Sequence, residues 1–430
     1  MAHEAALPHT ITPRQRPIFL TYDRNVYVML LYTLGKGLQL SIAALTINLY
    51  AYSLGFRSDF IGLLTAMPAL GAFIAGVPCG LLADRVGRKP LILVSAALTP
   101  LTLVAVALSA NAPLLLAASF INGLLASAYW ISNLPMLTES TTSEQRVGVL
   151  AINSFLLLGI GALGSLIGGI VPEITAALTH QAATAVLPLR WGVLAAAFVA
   201  AVPALPLVLL REPRRVGKGV TAQGTADAAS APEPVARDHN LTRWGLVALF
   251  AMLLIPDAIY VMGESSVIGL EQLFFRLRFN LQPGPLGIFI ALAGLFGGAS
   301  ALISPRFVQR WGKLRMATAM QLLSVPTVLL IGFMPLLGIA VAAEVARNFL
   351  RGLFEPIYAA FAMESVSARH RGTLSGFYGI TWGVGYSLGA SVAGFLQLHV
   401  GLSAPFAVGA VCILLAPVLL LVFFGRTRHL

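Results

Sequence analysis

Apolar residues along this chain come in long, nearly unbroken runs, not in the alternation of a half-buried strand or the one-faced period of a surface helix. Twelve runs of roughly 20 residues or more, each bounded by Gly, Pro or charge, lie near 26–53, 59–82, 89–109, 113–138, 147–171, 189–210, 244–269, 285–305, 315–335, 337–364, 371–397 and 402–424. Runs of that length match the hydrocarbon of a bilayer. Lipid offers backbone groups no partner, so each run must close its own hydrogen bonds as a helix. The pattern predicts an all-α membrane protein with twelve transmembrane helices. It breaks once, at REPRRVGKGVTAQGTADAASAPEPVARDHNLTR (211–243), which has the Ala, Gly, Pro and charge of a flexible linker. The expected organisation is an N-terminal segment 1–25, a six-helix bundle 26–210, the linker 211–243, a second six-helix bundle 244–424 and a tail 425–430.

The two halves repeat each other at a spacing of 225 residues. Gly62 recurs as Gly287, Arg85 as Arg310, Gly87 as Gly312, Glu139 as Glu364, Arg146 as Arg371, Gly164 as Gly389 and Gly169 as Gly394. A local exception is FINGL at 120–124, which matches FLRGL at 349–353 with a spacing of 229. A repeat in this register predicts two bundles related by an axis along the membrane normal.

Charge sets the orientation. If the N-terminus is inside, 21 of the 28 Lys and Arg fall in cytoplasmic segments; only Arg57, Arg190, Arg276 and Arg278 are external, and Lys36, Arg347 and Arg351 lie within spans. Both termini are therefore expected in the cytoplasm, with the protein multi-pass in a bacterial-type cytoplasmic membrane. The composition agrees, at 57% hydrophobic and 10% charged with a mean hydropathy of +0.84, against roughly 25% charge in soluble domains. The net charge of +11 follows from the inside-positive loops and their attraction to anionic lipid, so no nucleic-acid partner is implied. Cys79 and Cys412 sit in distant spans, which argues against a disulfide framework. The first 25 residues show no apolar core ending at a small-residue cleavage site, so the first span is expected to act as an uncleaved signal-anchor.

Between the second and third spans lies GLLADRVGRKP (80–90). Gly80, Asp84, Arg85, Gly87, Arg88, Lys89 and Pro90 stand at the spacing of the signature loop of the major facilitator superfamily, which the whole chain resembles through its twelve spans and parallel repeat. The resemblance implies a conformational latch in which Asp84 meets the start of the eleventh helix near Arg371, while Arg88 or Arg85 faces Glu139. A helix N-terminus attracts an anion, so the first contact is physically reasonable. The second copy, SPRFVQRWGKLRM, keeps Arg310, Gly312 and Lys313 but has Gln309 in place of the acid, which predicts a one-sided latch. In the fifth span GIGALGSLIGG (159–169) resembles a degraded glycine motif of proton-driven exporters, with Ser165 replacing its proline; close helix packing through small residues explains it as well. Ser119 stands where the family's proton-coupling Arg would be, so motifs leave the direction of transport open.

The tenth span carries EVARNFLRGLFEP, residues 344–356. At about 100° per residue Glu344, Arg347, Arg351 and Glu355 share a face roughly 80° wide. Each unpaired charge at mid-bilayer costs about 2.5–3.5 kcal/mol, so the stripe must be paired or wet. Glu344 with Arg347, and Arg351 with Glu355, are spaced to pair within the helix. Three other spans carry polar trios at helical spacing: Tyr32, Lys36 and Gln39; Asn122, Tyr129 and Asn133; Asp257, Tyr260 and Glu264. The family resemblance implies that helices one, four, seven and ten surround a central cavity, which these residues would line as a substrate site; structural ion pairs holding the bundle are the alternative. Gly35, Gly37, Pro256 and Gly263 loosen the local helices and could admit backbone to the site. Glu264 has no cation three or four residues away, whereas Glu355 has Arg351. A carboxyl without a fixed guanidinium takes up a proton more readily. Glu264 is thus the proton-coupling candidate, Asp257 the reserve, and Glu355 holds Arg351 for substrate.

No catalytic triad, metal-ligand cluster or phosphate-binding loop appears, and all seven His lie outside the central spans. Neither an enzyme nor a cofactor or metal is expected. The reading is a secondary transporter that moves a small organic solute by alternating access, with proton coupling and efflux both open. A flippase for lipid or lipid-linked substrates and a non-transporting ligand sensor are the alternatives. Its expected partners are a small-molecule substrate, the lipid bilayer and protons, and it is expected to work as a monomer.

Overall fold

The computed structural model describes residues 22–211 and 243–425; the expected N-terminal segment up to 21, the linker between 212 and 242 and the tail beyond 425 lie outside the described residues. Twelve long helical elements fill the rest. They are α1 (Arg24–Ser53), α2 (Ser58–Val86), α3 (Arg88–Leu108), α4 (Ala112–Glu139), α5 (Ser143–Ser154 continuing to Gly164–Thr179), α6 (Val186–Ala201, then Val202–Leu209), α7 (Arg243–Ile268, then Glu271–Phe279), α8 (Pro283–Trp311), α9 (Lys313–Phe333), α10 (Leu337–Glu364), α11 (Ala368–His399) and α12 (Ala404–Phe424). Ten are long and apolar enough to cross a membrane by length and composition. The other two, α10 with 28 residues and α11 with 32, are long enough but diluted by charged and small polar residues.

Local chemistry sets the ends. Pro283 and Pro405 open α8 and α12 within the first turn, where a missing N–H loses no bond. Gly87 separates α2 from α3 at φ 106°, and its repeat Gly312 separates α8 from α9 at φ 80°. Side chains other than glycine rarely adopt that backbone, so the repeated glycine marks a repeated corner. Within α5, the segment Phe155–Ile160 is a π-helical turn followed by a 3-10 turn at Gly161–Leu163. It wraps closely on α1: a side chain at Gly161 would strike the Gly37 backbone.

The halves α1–α6 and α7–α12 meet chiefly through α2 with α11 and α5 with α8. A Cβ on Gly62 of α2 would lie 2.6 Å from the Ala390 carbonyl oxygen and 2.9 Å from Gly394 Cα on α11. The symmetry-related contact pairs Gly169 of α5 with α8, where a Cβ would lie 2.5 Å from the Pro283 carbonyl oxygen and 3.0 Å from Gly284 Cα. Nearby, Asn48 of α1 donates to the Gly269 carbonyl at 2.9 Å and Glu173 of α5 accepts from the Gly284 N–H at 2.9 Å. All of these lie toward the end of the molecule opposite the termini, which is sealed. Toward the terminus end, Gly76 and Gly80 of α2 and Gly372, Gly376 and Gly379 of α11 face open space. The molecule is closed at one end and splayed at the other.

This opening corrects one expectation. Asp84 is exposed and does not meet the start of α11, where Arg371 Nε instead donates to the Met363 carbonyl at 3.0 Å. With the terminus-side ends apart, the anion has no helix start within reach. The second expected contact is present, within the N-terminal half: Arg88 pairs with Glu139. Lys313 pairs with Glu364 in the second half, at positions 225 residues further on, so this ion pair is two-sided. The side chain of Gln309 lies outside what the structure describes.

Candidate functional site

The charged stripe of α10 packs against α7, and the site is built there. Arg347 is its centre and is 1% exposed. Its Nε and Nη2 donate to the Glu344 carboxylate at 2.9 and 2.6 Å, its Nη1 pairs with Glu264 of α7, and its Nη2 lies 3.5 Å from Glu271 Oε2. One helical turn further along α10, Arg351 Nε donates to Glu355 Oε1 at 2.8 Å and lies 3.7 Å from Glu264 Oε1. Glu264 therefore touches both guanidiniums. Asn348 donates to the Glu344 carboxylate and, at 3.1 Å, to its carbonyl, which orients the acid for Arg347.

Exposure is graded along the cluster. The side chains of Arg347 and Glu264 are 1% and 7% exposed, while those of Arg351 and Glu355 are 29% and 44% exposed. The open end faces the splayed, terminus side of the molecule. Four carboxylates (Glu264, Glu271, Glu344, Glu355) meet two guanidiniums (Arg347, Arg351). Fully ionised, the cluster would hold two negative charges in excess, with Glu355 at its exposed end and Glu264, Glu271 and Glu344 buried.

Asp257, two turns before Glu264 on α7, is buried and accepts from Thr381 Oγ1 of α11 at 2.9 Å. No ion pair of Asp257 occurs among the described residues. Tyr260 lies between the two acids, its ring centroid 4.6 Å from that of Phe354. Tyr358 ties α10 to α7 by donating to the Leu253 carbonyl at 2.6 Å.

Two sequence expectations change here. Glu264 stood out because no cation lies three or four residues away; the fold supplies Arg347 and Arg351 from a different helix, so it is not an isolated carboxyl. Asp257 is the buried acid without a guanidinium. The N-terminal trios also turn away from a central cavity. Tyr32, Lys36 and Gln39 of α1 line a small internal space with residues of α3 and α6. Asn122 donates to Thr102 of α3 at 2.7 Å, and Tyr129 and Asn133 of α4 join Thr33 and Asn153 in a hydrogen-bonded network of 2.8–3.2 Å inside the N-terminal half. Helix periodicity groups residues on a face but does not say which neighbour that face meets. Glu271, Asn348 and Thr381 belong to the site and were not read from the sequence. Glu271 gave no periodic signal, since it begins a second helical segment after the break at Gly269 and Leu270.

The sequence model described as Major Facilitator Superfamily matches residues 28–380 and 258–430. The quinolone resistance protein NorA of Staphylococcus aureus (strain MSSA476) is 23% identical over 407 residues, covering 92% of this chain and 93% of that protein. Among solved structures, the nucleoside transporter NupG superposes with a TM-score of 0.68 at 16% identity, covering 95% of this chain and 100% of that one. A D-xylose-proton symporter superposes with a TM-score of 0.70 at 13% identity, covering 92% and 96%. These structural likenesses concern the fold.

Proposed function

The chain belongs to the major facilitator superfamily, and from that premise we propose that it exports a small organic solute in exchange for protons, working as a single chain. The observation that carries this reading is the α7–α10 cluster, sealed toward one end and graded open toward the other. With the termini in the cytoplasm, as the charge asymmetry supports, the open end faces the cytoplasm and the state is inward-open. A solute entering there meets Arg351 and Glu355 first, so its polar group is held by a guanidinium and a carboxylate side by side. The resistance relative supports export and an amphipathic solute.

Alternating access requires the sealed end to part while the splayed end closes. The glycine contacts of α2 with α11 and α5 with α8 allow backbones to meet without interlocking side chains, which suits a seal that must separate. Asp257 carries the coupling proton in this reading. It can gain or lose a proton by rearranging one bond to the neutral Thr381 hydroxyl, whereas protonating Glu264 would strip Arg347 and Arg351 of a shared partner. Reconstituted protein in proteoliposomes should accumulate a labelled fluoroquinolone when a pH gradient is imposed and lose the accumulation when it is collapsed. A ligand sensor gives no accumulation at all, and a flippase moves labelled lipid instead.

A further inference from the structure

Six side chains of the N-terminal half enclose a cavity far in sequence from the α7–α10 cluster: Tyr32, Lys36 and Gln39 from α1, Ala96 and Thr99 from α3, and Ala200 from α6. Its volume is about 10 Å³, roughly what one water-sized occupant needs. Lys36 is 5% exposed, and its Nζ donates to Gln39 Oε1 at 2.9 Å. Among the described residues no carboxylate pairs with it. An ammonium has three donors, so two are left over. Thr99 is 3% exposed, and its Oγ1 has no hydrogen-bond partner. The side-chain acceptor offered to Lys36, Gln39 Oε1, is already used. The cavity thus presents a positive charge and spare donors to an occupant that must be small.

A water molecule would satisfy the hydroxyl but leave the ammonium without a counter-charge inside the membrane. A carboxylate brings an attached carbon chain, for which Ala96 and Ala200 leave no space. A monatomic anion brings the counter-charge with no attached chain. We propose that this cavity is a chloride site, with Lys36 Nζ and Thr99 Oγ1 donating to the ion. The bound anion balances Lys36 within the N-terminal half, separately from the solute and proton chemistry of the other half.

The test uses purified full-length protein, unfolded thermally in sodium chloride or sodium gluconate at equal ionic strength, with radiolabelled chloride binding measured in parallel. The site predicts a saturable rise of the unfolding midpoint in chloride but not in gluconate, and one chloride bound per chain. Thr99→Val, which removes only the hydroxyl, should weaken chloride binding about tenfold. Lys36→Met should abolish it, and the valine variant keeps the test decisive if the methionine variant does not fold. Identical midpoints in chloride and gluconate for the wild-type protein would overturn the site in favour of a neutral lysine beside water. Saturable chloride binding unaffected by Thr99→Val would overturn it equally.

Discussion

Arg347 shows how a membrane helix tolerates a buried guanidinium. Its donors face carboxylates from both α7 and α10, so the cost of removing it from water is offset locally. Taking away the cation leaves the acids uncompensated, and Arg347→Met should destabilise the protein by about 3–5 kcal/mol. Glu355→Gln, at the wetter end, should change stability by less than about 1 kcal/mol. Thermal unfolding of the purified variants checks the order; equal losses would contradict the graded burial. The sequence showed part of this arrangement. Glu344 with Arg347 and Arg351 with Glu355 were legible because residues three and four apart on a helix are neighbours whatever surrounds them. The bond from Arg347 to Glu264 joins positions 83 residues apart and depends on how α7 and α10 are rotated, which local spacing does not encode. Glu271 was hidden because it lies just past the end of its apolar run.

At the scale of elements, two of the four repeated glycine pairs, Gly62 with Gly287 and Gly169 with Gly394, turn out to lie where the halves touch. Gly62 and Gly394 meet in one interface and Gly287 and Gly169 in the other, so each repeat position is paired with the partner's repeat position. The sequence showed the spacing of 225 and the glycines, but not that they form contacts between halves, since a glycine carries no sign of what approaches it. A valine at position 62 would place its Cβ 2.6 Å from a backbone oxygen that cannot swing aside. Gly62→Val should therefore part α2 from α11 at the sealed end. Spin labels at positions 57 and 400 should move apart in the variant, and an unchanged distance distribution would show that the glycine contact does not hold the seal. The polar face of α1 teaches the complementary lesson: Tyr32, Lys36 and Gln39 do share a face, as their spacing predicts, yet that face meets α3 and α6.

For the whole molecule, the twelve-helix architecture was legible because lipid forces every long apolar run into the same solution, and the state was not, because open and closed arrangements use the same helices. The charge distribution predicts that membrane-impermeant reagents label cysteines placed near 57, 180 and 276 from outside intact cells and leave one near 225 protected; external labelling of position 225 would reverse the orientation. On the proposed orientation the structure is the cytoplasm-open half of a transport cycle, and the central proposal is that a proton on Asp257 drives that cycle. The most direct measurement compares wild-type and Asp257→Asn protein in proteoliposomes with a labelled fluoroquinolone, once under an imposed pH gradient and once as exchange at equal pH. The account predicts that Asp257→Asn exchanges solute at a rate within about twofold of wild type, since the Arg351–Glu355 end of the site is intact, but accumulates none against its gradient. Gradient-driven accumulation by Asp257→Asn equal to that of the wild-type protein would contradict it.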